Sequence, residues 1–88
     1  MMKCELGAIV QSTAGRDKNK FFVVSKIISN EYVLLVDGKN KKLAFPKKKK
    51  IKHLIVYEQS KLKEKFEQEQ YVLDSEIRQI LKNFKVDM

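Results

Sequence analysis

Residues 20–36, KFFVVSKIISNEYVLLV, decide the fold. Lys20 to Ile28 is dense in β-branched and aromatic side chains, which suit a pleated strand better than the crowded turn of a helix. Ser29-Asn30 is short enough for a hairpin turn, and Glu31 to Val36 supplies the returning strand. Phe21 and Phe22 are neighbours on the first strand, so they point to opposite faces and cannot both enter one interior. One of them is left to stack on a base or to lie beneath another element.

Outward from this hairpin the pattern repeats. Ala8 to Ser12 reads as a strand, and the residues after it, Thr13-Ala14-Gly15-Arg16-Asp17-Lys18-Asn19, suit a loop that needs unusual backbone angles. Downstream, Asp37-Gly38-Lys39-Asn40 predicts a turn and Lys41 to Phe45 a further antiparallel strand. Pro46 has no N–H for a ladder, so it should end that strand or lie on an edge. Ile51 to Tyr57 offers a closing strand. Five short strands at this spacing predict a mainly β fold, a small and partly open barrel over residues 1–57. Beyond Glu58 the period changes. Leu62 and Phe66, four apart, allow about two turns of helix. A second helix starts near Ser75, with capping chemistry in Leu73-Asp74-Ser75-Glu76 and an apolar stripe at Ile77, Ile80, Leu81 and Phe84. Residues 58–88 therefore form a helical tail whose stripe needs cover, and the spare phenylalanine of the hairpin is expected to supply it.

The 88 residues suffice for one domain with a modest core. No apolar run approaches the roughly 20 residues that span a bilayer, and Met1-Met2-Lys3-Cys4-Glu5 lacks the apolar core of a signal peptide. The expectation is a cytoplasmic protein without membrane contact. One cysteine, Cys4, and one histidine, His53, cannot build a disulfide or a Cys/His metal site within the chain. There is no nucleophile-and-base pattern, no glycine-rich phosphate loop opening a helix and no carboxylate pair in an apolar setting. Neither enzyme chemistry, a cofactor nor a small-molecule substrate is expected.

The formal charge is +8, and it is unevenly placed. Residues 1–57 hold 13 Lys/Arg against 4 Asp/Glu, a net of +9, whereas residues 58–88 hold 6 against 7, a net of −1. Between Asp37 and Glu58 there is no acid, yet Lys39, Lys41, Lys42, Lys47, Lys48, Lys49, Lys50 and Lys52 fall there. A polyanion is the natural partner of such a field.

Gly7-Ala8-Ile9-Val10, followed by Ser12, Gly15, Lys18-Asn19-Lys20 and the apolar run from Phe21, resembles the KOW motif of ribosomal proteins and NusG-type transcription factors. With Ala14-Gly15-Arg16-Asp17-Lys18 and the lysine-rich segment Pro46–Lys52, the chain is most similar to small bacterial relatives of the fourteen-e family of large-subunit ribosomal proteins. Asn19 stands where KOW sequences commonly have glycine, and asparagine is among the few residues that tolerate left-handed backbone angles. The resemblance covers about residues 5–57 and implies an SH3-like barrel that binds RNA, often ribosomal RNA, with ribosome association to match. Some members of the family bind proteins, so a module docking on ribosomal or transcription proteins is the competing expectation.

The RNA-binding candidates follow from charge and loop chemistry. Lys47–Lys50 can neutralise phosphates, each contact releasing counterions, with Lys39, Lys41, Lys42 and Lys52 extending the surface. Arg16, Lys18 and Lys20 form a second group, where Gly15 makes the backbone turn that allows close approach and Arg16 can make a bidentate contact. Asp17 is expected to order this loop by accepting from nearby backbone amides. His53, flanked by apolar residues, reads as structural.

Overall fold

The computed structural model describes residues 3–84; the ends of both expected regions, residues 1–2 and 85–88, lie outside it. The strands are β1 (Ala8–Ser12), β2 (Phe21–Ile27), β3 (Tyr32–Val36), β4 (Lys47–Lys50) and β5 (Leu54–Gln59). They form one antiparallel sheet in the order β4-β3-β2-β1-β5. The two edge strands are consecutive in sequence, joined only by a 3-10 turn at Ile51–His53. Laid flat, five strands would separate those edges by about 19 Å, four spacings of nearly 5 Å. A linker of three residues reaches roughly 14 Å at full stretch. The sheet must therefore curl, and it does so without pairing β4 to β5.

Curling gives the sheet an inside and an outside, and strand alternation fills both. The inner core gathers Ala8, Val10, Phe22, Val24, Val33 and Leu35, with Ile51, Leu54 and Val56 packed against it. The outer core gathers Ile9, Val23 and Val36 with Leu62, Val72 and Ile77. Phe22 thus enters the inner core, and its neighbour Phe21 lies on the outer side, with its ring centroid 5.5 Å from that of Phe84 and 5.7 Å from that of Tyr57.

The outer face is covered by the tail. Helix α1 (Lys63–Glu67) and helix α2 (Asp74–Asn83) bring Phe66, Ile77, Ile80, Leu81 and Phe84 onto the sheet. Full burial of Ile77 alone contributes about 2 kcal/mol before entropy costs. Helix α2 starts one residue before Ser75. Its cap comes from the expected segment, with the Glu76 carboxylate reaching back to the Leu73 N–H at 3.3 Å while Asp74 is engaged elsewhere.

Two strand expectations need correction. Lys41–Phe45 forms turns, not a strand; the strand that pairs with β3 is Lys47–Lys50. Four lysines have little strand propensity, but β3 presents an unpaired edge of backbone donors and acceptors that β4 satisfies. Pro46 therefore precedes a strand instead of ending one. The closing strand starts three residues later than expected, at Leu54, because Ile51–His53 turns the chain from one edge of the sheet to the other.

Candidate nucleic-acid interface

The register of β3 with β4 sorts the four lysines. Lys47 lies opposite Leu35 and Lys49 opposite Val33, both residues of the inner core; Lys48 lies opposite Leu34 and Lys50 opposite Tyr32. Paired residues of an antiparallel ladder share a face, so the run splits by parity. Lys47 and Lys49 face inward. Lys48 and Lys50 face outward, with their ammonium groups 4.6 and 5.7 Å from the centre of the Tyr32 ring. At those distances the negative ring face attracts both cations and holds them above it.

The inward pair meets Asp17. Lys49 Nζ donates to Asp17 Oδ1 at 2.8 Å and to the Ala14 carbonyl at 2.7 Å, and Ser12 Oγ donates to the same Oδ1 at 2.8 Å. Lys47 Nζ forms an ion pair with Asp17 Oδ2 at 2.8 Å, and no other donor among the described residues reaches that buried oxygen. The Asp17 side chain is only 9% exposed and that of Lys49 only 10%. Desolvation pushes the carboxyl up, but the two lysines and Ser12 together outweigh it and hold Asp17 well below the usual carboxylate range. Asp17 therefore orders its loop through side chains, not through the backbone amides expected from the sequence. The sequence places Asp17 and Lys49 32 residues apart, and nothing local links them.

The loop seated on this triad closes tightly. Ser12 N–H donates to the Lys20 carbonyl and Asn19 N–H to the Ser12 carbonyl, at 3.0 and 2.7 Å. Gly15 and Asn19 take positive φ angles of 84° and 73°, the conformation anticipated for the Asn19 position. Thr13 N–H donates to the His53 carbonyl, which ties the loop to the 3-10 turn carrying Lys52. Arg16, Lys18, Lys20, Lys48 and Lys52 are exposed and Lys50 is half-buried. The fold thus joins three separate basic segments, residues 16–20, β4 and Lys52, into one region.

Lys39, Lys41 and Lys42 belong to a second basic loop, Asp37–Pro46, which runs directly into β4. Asp37 Oδ1 accepts the Lys39 and Lys41 N–H groups, at 2.9 and 2.7 Å. The tail then fastens the loop at two points. Arg78 Nη1 donates to the Gly38 carbonyl at 2.6 Å, and the Leu43 N–H donates to Asp74 Oδ1 at 2.8 Å. Gly38 has φ 76° and faces α2 so closely that a Cβ there would collide with the Asp74 carbonyl. The tail is thus part of the basic surface's scaffold, a role that its near-neutral charge did not reveal.

Among the described residues the ion pairs are those of Lys47 and Lys49 with Asp17, Lys63 with Glu5, and Lys65 with Glu76. Arg16, Lys18, Lys20, Lys39, Lys41, Lys42, Lys48, Lys50 and Lys52 are left without a carboxylate partner there. Cys4 packs beside the inner core, and burial pushes its thiol up, toward the unreactive protonated form. In comparisons with known proteins, no family model and no curated protein matches the chain.

Proposed function

We propose that this protein is a non-catalytic RNA-binding module, an SH3-like barrel of the KOW type that grips the phosphates of structured RNA, ribosomal RNA foremost. The observation that carries this reading is the unpaired set of cations. Asp17, a buried acid, orders the region by pairing with Lys47 and Lys49, while Arg16, Lys18, Lys20, Lys39, Lys41, Lys42, Lys48, Lys50 and Lys52 have no carboxylate partner among the described residues. Like charges gathered this way repel one another, and a polyanion relieves that repulsion while releasing counterions. The strand order, with a 3-10 turn linking the two edge strands, supports the barrel reading, and so do Gly15 and Asn19 at positive φ in the KOW-like loop. Lysines on an edge strand also discourage pairing with a second chain, but that use explains neither basic loop. Contacts made by lysine to phosphate fix orientation and carry little sequence information.

The parity of β4 supplies the test. Replacing Lys48 and Lys50 with Ala should weaken RNA binding about tenfold at moderate salt and lower the slope of log affinity against log salt by about 1.5, with only the small fall in melting temperature that loss of the Tyr32 contacts brings. Replacing Lys47 and Lys49 should lower the melting temperature further, because Asp17 is left buried without its cations. An unaltered affinity in the first variant at low and moderate salt would remove the phosphate-binding reading. Wild-type binding to ribosomal or transcription proteins that does not respond to salt would favour the protein-interaction alternative.

A further inference from the structure

Phe45 is 82% exposed, a large apolar side chain at the surface of a loop that also carries Lys39, Lys41 and Lys42. A single exposed apolar residue is common and by itself means little. Three features set this one apart. Its loop is pre-ordered, fastened to α2 through Gly38 and Leu43, and the Phe45 N–H donates to the Lys42 carbonyl in a turn at 2.9 Å. Leu43, two residues away, is drawn into the outer core, which fixes the backbone from which Phe45 projects. Lys39, Lys41 and Lys42 are exposed beside it without carboxylate partners among the described residues.

An apolar protein surface laid on this loop would have to strip water from the exposed ammonium groups of Lys39, Lys41 and Lys42 and offer them nothing in return. A nucleotide satisfies both, because its base has a flat face for the ring and its phosphates pair with the lysines. Bases inside a duplex are already stacked, so only an unpaired one is available. We infer that Phe45 is a stacking platform for one unpaired nucleobase, bound while Lys39, Lys41 and Lys42 hold the adjoining phosphates. This rests on the RNA reading and narrows its target to RNA with a bulged, looped or single-stranded nucleotide. A pre-ordered loop suits that task, since little conformational freedom is lost when the base arrives.

The test compares a perfect RNA duplex with the same duplex carrying a one-nucleotide bulge, using the full chain. Wild-type protein should prefer the bulged RNA. Phe45→Ala should lose about tenfold in affinity for it, with unchanged affinity for the duplex, unchanged salt slope and unchanged melting temperature. The chain has no tryptophan, so Phe45→Trp introduces a single reporter. That variant should keep the preference, and its emission should be quenched by the bulged RNA and not by the duplex. Equal effects of Phe45→Ala on both RNAs, or none on either, would overturn the stacking site while the RNA reading stands. Wild-type protein that binds neither RNA at low salt overturns that reading, and the stacking site with it.

Discussion

The two basic loops have similar composition and are ordered by opposite means. Ser12–Lys20 is held from within, by a buried carboxylate that takes two lysines of β4 as its partners. Asp37–Pro46 turns on the amides that Asp37 accepts, but it is fastened to the rest of the fold from outside, by a helix that accepts one of its N–H groups and donates to one of its carbonyls. The first device costs the surface two cations. The second costs none, because backbone groups do the fastening and Lys39, Lys41 and Lys42 stay available. A basic loop can thus be made rigid without being neutralised, provided that another element of the fold lies beside it. That requirement gives the tail its part in the candidate site.

The comparison can be broken most forcefully at Ile77. Ile77→Ala removes a fully buried side chain under α2 and should cost about 3 kcal/mol, a fall of more than about 10 °C in melting temperature. Hydrogen exchange should then quicken at the Leu43 amide, which depends on α2, well before it does at the Asn19 amide, which does not. Equal acceleration at both sites would mean that the loops share one support.

A smaller loss is expected from Asp17→Asn, about 2 kcal/mol at neutral pH. Breaking a buried charge pair often costs more, but Lys47 is 30% exposed and can turn to water. The pH response has a definite sign. Because folding holds the Asp17 carboxyl below its ordinary value, the unfolded chain takes up the proton first as pH falls. The stabilisation is whole above about pH 4 and declines as pH drops further toward the folded value. Denaturant titrations between neutrality and pH 2 should show that decline in the wild type and a shallower one in the variant. Identical acid limbs would remove Asp17 as the loop's anchor.

The smallest effect separates order from charge. Asp74→Ala deprives the Leu43 N–H of its acceptor and should cost about 1 kcal/mol. It also removes a negative charge, so electrostatics alone predict tighter RNA binding. If the fastening of the loop matters, affinity should fall instead, and binding isotherms at constant salt decide between the two.

Much of the fold was legible along the chain because its signals are local. The strand at Ala8–Ser12, the hairpin around Ser29-Asn30, the opposed Phe21 and Phe22, and the stripe at Ile77, Ile80, Leu81 and Phe84 each follow from periodicity within a few residues. The left-handed angle at Asn19 was legible from residue type, since asparagine is among the few residues that tolerate it. The strand at Lys47–Lys50 was not legible, since no local preference favours it. Its pairing is dictated by the free edge of β3, and the KKLAF segment that looked like a strand is instead drawn down to α2 through Leu43.

By itself, then, the sequence determined the alternation, the turns, the amphipathic tail and the location of the charge along the chain. Which of those charges are paired within the described residues, and which face each side of the sheet, followed from the tertiary structure. Register sets Lys47 and Lys49 inward and Lys48 and Lys50 outward, Asp17 meets its partners across about thirty residues, and Asp74, the first residue of α2, holds a distant loop. Each is a pairing between groups remote in sequence, and a charge reports its sign from the sequence but its partner only once the chain has folded around it.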